Sequence, residues 1–218
     1  GQQAIEKVKE YAEEGYRYAV SVDLSKYFDT LNHELLMNLL HRKIQDMRVL
    51  RIIKKYLKSG VMENGVESKT KEGSPQGGPL SPLLANIYLN EFDWEMHSRG
   101  VKTVRYADDI VVFAKSKRAA ERLLEFSRKY LEGKLKLKMN TEKSKVTSIF
   151  AQKKFKFLGF CLGRTGSGTY IRVHRKSLAK AKEKLKLLTK RNRGRNKEVH
   201  QGPGSERPDV RPVELQRI

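Results

Sequence analysis

Two adjacent carboxylates, Asp108 and Asp109, stand in the stretch RYADDIVVFA at 105–114, directly before five apolar residues. Ile110 to Ala114 reads as a buried strand, and a charge at the edge of an apolar core is costly unless something compensates it. Neighbouring side chains of a regular strand point to opposite faces. The two acids can therefore share one site only if a tight turn falls at Ala107–Asp109. A third acid, Asp23, leaves the alternating run YRYAVSVDL at 16–24, with Val20, Val22 and Leu24 on one face and Ala19, Ser21 and Asp23 on the other. Carboxylates brought to one point repel one another unless a hard divalent cation lies between them. Mg²⁺ suits such a place, because it takes few protein carboxylates and keeps positions for water and phosphate oxygens. Two such ions about 3.5–4 Å apart steady the attacking and leaving oxygens of phosphoryl transfer. Taken singly, Asp-Asp is also an ordinary turn pair and Asp23 an ordinary strand end.

The elements that must position these acids follow from periodicity. Residues 2–14 read as a helix stopped by Gly15, and 16–24 as a strand with its acid at the exit. Asn32 caps a helix carrying Leu35, Leu36, Leu39 and Leu40; a second helix over 46–58 carries Leu50, Ile53 and Leu57. Asn64-Gly65 is a two-residue hairpin signal. EGSPQGGPLSP is too rich in Gly and Pro for regular structure, after which Ser81 is expected to cap, and Pro82 to open, a helix through Leu83, Leu84, Ile87 and Phe92. A β-hairpin spans 102–114 with the acids at or near its turn. An amphipathic helix covers 117–132, with Ala120, Leu123, Leu124 and Leu131 inward. Strands follow at 144–150, 155–162 and 168–173. Leu178, Ala181, Leu185 and Leu188 mark one face of a last helix at 176–190, the rest of which is nearly all lysine. From about 191 the chain carries three prolines, little apolar content and no periodicity, and is expected to lack structure without a partner. Irregularly alternating helices and antiparallel strands give an α+β class.

Charge points to the partner. Among 218 residues, 46 Lys and Arg stand against 25 Asp and Glu, a net +21. Such an excess suits a polyanion, nucleic acid before acidic membrane. Cys161 is the only cysteine, which excludes a disulfide framework and a Cys-based zinc site. The five histidines show no ligand spacing, no apolar run reaches membrane-spanning length, and no signal peptide opens the chain. The expected compartment is intracellular, the cytoplasm of a bacterium or an organellar matrix.

Taken in order, VSVDLSKYFDTLNHELL, GSPQGGPLSPLLANIYLNEFD and RYADDIVVFAKS resemble the reverse transcriptase palm, and most closely the proteins encoded by group II introns. Shorter echoes follow in LKLKMNTEKSKV and FKFLGF, so that the resemblance covers roughly residues 4–195. It implies a palm-type antiparallel sheet packed on helices, with partial fingers, over 1–175. A basic helix at the end of the palm would occupy 176–195, and a tail unlike the family 196–218. It implies that Asp23 and Asp108 are the principal Mg²⁺ ligands, with Asp109 in the same cluster. Phe28, five residues after Asp23, would pack under the incoming sugar and exclude a 2′-hydroxyl. Gln76 and Gly77 would lie over the nucleotide and template. Lys143, with Lys145 as its rival, would contact the phosphates or help protonate departing pyrophosphate. Leu158, Gly159 and Phe160 would steady the primer end, and Lys180, Lys184, Arg191 and Arg193 would hold nucleic-acid backbone.

The implied reaction is RNA-directed DNA synthesis with two Mg²⁺ ions (Mn²⁺ as a substitute) on an RNA template, a DNA or RNA primer and dNTPs. Intron RNA is a further implied partner. The family's N-terminal fingers stretch and helical thumb are not seen in this sequence, which leaves a maturase-like or remnant protein that binds intron RNA without polymerising as the alternative. A metal-dependent nuclease would need the acids but have no use for SPQGG or Phe28.

Overall fold

The alternating run at 16–24 forms β1 (Tyr18–Val22), the strand on which the fold is organised. It lies centrally in a four-stranded antiparallel sheet ordered β4-β5-β1-β6, where β4 is Thr103–Tyr106, β5 Asp109–Ala114 and β6 Lys145–Ser148. The computed structural model describes residues 1–58, 61–63, 66–68, 72–74 and 78–189. Its other elements are α1 (Gln2–Glu13), α2 (His33–His41), α3 (Met47–Lys58), the short strands β2 (Val61–Glu63) and β3 (Val66–Ser68), α4 (Ser81–Ser98), α5 (Lys117–Gly133), the hairpin β7 (Phe160–Thr165) with β8 (Gly168–Val173), and α6 (Arg175–Leu188).

The sheet is covered on both sides, which is why β5 is apolar without interruption. Val20, Val22, Ile110, Val112 and Ala114 face a core built from α2, α3, α4 and α5, with Leu36, Leu84, Tyr88 and Phe92 at its centre. Ala19, Val104, Val111 and Phe113 face a second core with Ile5, Val8 and Tyr11 of α1 and with Phe155, Phe157 and Leu162. The alternation read from 16–24 is thus the alternation between two cores. Asp23 and Asp109 have the parity of the second face. They project where that core ends.

Local signals account for the starts of two helices. Asn32 caps α2 by accepting from the Leu35 N–H at 3.0 Å, and Ser116 caps α5 by accepting from the Ala119 N–H at 3.2 Å. Ser81 does not cap α4, as expected above; Leu80 holds that position. The Ser81 hydroxyl instead accepts from Ser74 Oγ at 2.7 Å and lies 2.9 Å from the Tyr56 hydroxyl. The strand expected at 155–162 starts only at Phe160, because Phe157 and Phe160 close a tight turn on each other, both N–H···O distances being 2.9 Å. The Asn64-Gly65 turn lies outside the described residues, although β2 and β3 flank it in the expected antiparallel register.

Chain packing divides the protein at Leu178 into Gly1–Leu178 and a second unit that follows. The division falls inside α6, no residue of which is buried among the described residues. The leucine stripe read on one face of this helix is open: Leu178, Leu185 and Leu188 are all exposed. Helical periodicity is satisfied there without burial.

Candidate active site

The β4–β5 hairpin turns on two residues, Ala107 and Asp108, with Tyr106 paired to Asp109 across the turn. Ala107 takes a left-handed φ of 55°, the positive first-position torsion that tight hairpin turns need. The turn lets consecutive acids serve one place. β1 and β5 pair with Val22 opposite Ile110, so the next step of that register sets Asp23 opposite Asp109. The backbone of Asp23 is fixed from the other side. Its carbonyl accepts from the Asn140 N–H at 2.8 Å, and its N–H donates to Ser144 Oγ at 3.0 Å. Burial raises the Asp109 carboxyl above the usual range, and the charges of Asp108 and Asp23 raise it further, with Lys156 opposing. Asp109 thus senses both other acids. Among the described residues, no three His, Cys, Asp or Glu side chains are drawn together as a ready-made metal cage.

Beside this acidic edge lies a cavity of about 650 Å³, lined by Leu24, Tyr27, Phe28, Gly78, Pro82 and Asp108 among others. Phe28 belongs to a one-turn 3₁₀ helix, Tyr27–Asp29, and packs half-buried against the first core. Its loop is held from two directions. The Tyr27 hydroxyl donates to the Ala85 carbonyl of α4. The Ser74 and Gly73 N–H groups donate to the carbonyls of Phe28 at 2.7 Å and Leu31 at 2.8 Å. Ser74 leads into the SPQGG loop, whose Gln76 and Gly77 lie outside the described residues.

The other expected site residues divide. Lys143 Nζ stands 3.9 Å from Asp23 Oδ1, so the lysine preferred from the motif is the one at the acids. Its rival Lys145 sits on β6 opposite Ser21, one step further along the sheet. Leu158 and Gly159 form the corner of the Phe157–Phe160 turn, both with positive φ (48° and 88°), and Leu158 and Phe160 pack half-buried against the second core. Lys180 and Lys184 lie exposed on α6, and Arg191 and Arg193 are outside the described residues. Two cations were not anticipated. Lys156 acts on Asp109 from the segment before the turn, and its place between buried Phe155 and Phe157 was the available signal. Arg105 donates to the Ala107 carbonyl at 3.0 Å, and it stands inside the acidic motif itself.

Comparison with known proteins decides the ancestry. Residues 2–162 match the model of the family described as Reverse transcriptase (RNA-dependent DNA polymerase). The chain belongs to the reverse transcriptase family. Within it, the chain is 36% identical to Protein YkfC of Escherichia coli K12, in a match covering 69% of this chain and 48% of that protein. It is 29% identical to the group II intron-encoded protein LtrA of Lactococcus lactis, over 72% of this chain and 37% of the relative. The chain thus spans about half the length, or less, of these curated relatives. Among solved structures, telomerase of Candida tropicalis lacking its C-terminal domain superposes with a TM-score of 0.60 at 13% identity. That match covers 78% of this chain and 39% of the telomerase chain, and it bears on the fold alone. These likenesses agree with the mixed helix and antiparallel palm-type sheet described above, and with a group II intron-type reverse transcriptase. No helix among the described residues is long and apolar enough to cross a membrane.

Proposed function

We propose that this chain carries the catalytic palm of an RNA-directed DNA polymerase of the group II intron type, extending a DNA or RNA primer on an RNA template with dNTPs. Residues 1–175 form the palm with partial fingers and 176–189 carry the basic helix, while the rest of the expected 176–195 segment and 196–218 lie outside the described residues. The observation that carries this reading is the β1–β5 register. It aligns Asp23 with the turn bearing Asp108 and Asp109, at the mouth of a cavity that holds Phe28.

The donor set fits Mg²⁺, which is bound through one or two carboxylates with water and substrate phosphates filling the rest. All three side chains offer only carboxylate oxygens, and Asp109 is raised by its burial and then by the charges of Asp108 and Asp23. Asp23 and Asp108 hold the ions, two in number, and Asp109 completes the cluster. The chemistry that Mg²⁺ held by these acids would supply is a lowered pKa for the primer 3′-hydroxyl and an offset to charge on the phosphates. Phe28 presents its ring to the sugar and leaves no room for a 2′-hydroxyl, while Gln76 and Gly77 cover nucleotide and template. Lys143 meets the triphosphate from the Asp23 side, its Nζ donating a proton to departing pyrophosphate. Leu158, Gly159 and Phe160 steady the primer end. Lys180, Lys184, Arg191 and Arg193 contact backbone phosphates, including those of intron RNA.

The test is primer extension on an annealed RNA template with dNTPs and Mg²⁺, comparing the chain with Asp108→Asn. Extension that disappears in the variant is the expected result. RNA binding without extension in the unaltered chain would replace this reading with that of a maturase-like binding module.

A further inference from the structure

The turn that carries Asp108 contains an anomaly. Ala107 is held at a φ of 55°, where a residue with a Cβ is uncommon, and a hairpin of this kind usually places glycine there. Something outside the turn must keep it. Arg105 does so from the preceding strand. Its Nη1 donates to the Ala107 carbonyl at 3.0 Å and to Asn86 Oδ1 at 2.8 Å. Its Nε and Nη2 donate to the Asp93 carboxylate at 2.6–3.0 Å, a two-pronged pair of planar groups. The Arg105 side chain is only 14% exposed, and Asn86 and Asp93 lie seven residues apart on one face of α4. The same helix begins at Ser81-Pro82, on the wall of the Phe28 cavity.

We propose that Arg105, held by Asp93 and Asn86, is a positioning residue that locks the Ala107–Asp108 turn to α4 and so fixes the Asp108 carboxylate against the nucleotide cavity. The proposal rests on the polymerase reading above. Arg105 touches neither substrate nor metal; it acts through the Ala107 peptide. Lysine at 105 keeps the charge but not the planar fork, and cannot hold carboxylate, amide and carbonyl together. The general chemistry is that of groups lying behind a metal ligand, whose loss typically weakens metal binding or activity about 10–100-fold.

The test uses the 218-residue chain and four proteins: unaltered, Arg105→Lys, Asp93→Asn, and Asp108→Asn as the reference for a lost ligand. Mn²⁺ affinity is read by electron paramagnetic resonance, folding by circular dichroism, and the Mg²⁺ requirement by primer extension. Arg105→Lys and Asp93→Asn are expected to remain folded, to bind Mn²⁺ about tenfold more weakly, and to raise the Mg²⁺ concentration for half-maximal extension by the same factor. The KM for primer–template should not move. Folded variants with unchanged Mn²⁺ affinity would overturn the role of Arg105 and leave it a structural ion pair. An unaltered chain binding Mn²⁺ no better than Asp108→Asn would instead bring down the polymerase reading, and the proposal with it.

Discussion

Gly73→Ala puts the support of the Phe28 cavity under test. Gly73 has a φ of +91°, and a Cβ added there would lie 2.9 Å from the carbonyl oxygen of Asp29, a backbone atom with no freedom to rotate away. Two costs follow. A left-handed backbone costs a residue with a Cβ about 1–2 kcal/mol. Relieving the contact also requires Gly73 and the Phe28–Leu31 loop to separate, weakening the Ser74–Phe28 and Gly73–Leu31 hydrogen bonds, each worth about 0.5–1.5 kcal/mol net. With both bonds lost, the sum is about 2–5 kcal/mol. Gly100→Ala isolates the first term, since Gly100 has a φ of +66° and nothing within 4 Å of its built Cβ. Urea unfolding of both variants gives the comparison directly, with Gly73→Ala expected to lose about 1–3 kcal/mol more than Gly100→Ala. In primer extension, Gly73→Ala alone should raise the KM for dNTP, because the loop it displaces carries Phe28. Equal destabilisation of the two variants, or an equal change in KM, would refute the reasoning.

Asp109 supplies a prediction with a sign. Its folded-state carboxyl is raised by burial and by Asp108 and Asp23, so the fold binds that proton more tightly than the unfolded chain does. Its contribution to stability is therefore greatest in acid and falls as pH rises through the ordinary carboxylate range, near 4 and above. Urea melts without metal between about pH 4 and 7 should show this fall in the unaltered chain and a flatter profile in Asp109→Asn. A steeper fall in the variant would contradict it. The lysines can be told apart as well. Lys143→Gln should lower kcat by about 100-fold or more if its ammonium serves the leaving group, whereas Lys145→Gln, one step along the sheet, should change kcat little. The reverse order in steady-state kinetics would reassign the role.

The acidic cluster was legible because two periodicities met there. Alternation over 16–24 put Asp23 at a strand exit, and the apolar run after Asp109 demanded a turn before it. The first core was legible for the same reason, from leucine spacing in α2 and α5. What escaped was tertiary. Ser81 has the composition of a cap, but Ser74 and Tyr56 claim its hydroxyl from elsewhere in the chain. Leu158 is not a turn residue by type, and Phe155 and Phe157 made the segment look like continuous strand; packing against the second core overrides that pattern. Arg105 escaped because its partners on α4 lie 12 and 19 residues away and nothing local marks them. In α6 the leucine period was real, but a period states which residues share a face and not what covers it.

The central place of β1 has a consequence for how the protein is made. β1 is complete at Val22, yet both strands that flank it, β5 and β6, end only at Ala114 and Ser148. At a ribosomal rate of roughly 5–20 residues per second, the nascent chain waits on the order of 5–20 s between completing β1 and completing β5. Through that interval Val20 and Val22 have no sheet to join, and both edges of β1 are open to other strands. The acids cannot meet during that interval. A nascent chain would bring Asp23 and Asp109 into register in one late step, when β5 docks on β1, and until then it would be a client for whatever shields exposed strands.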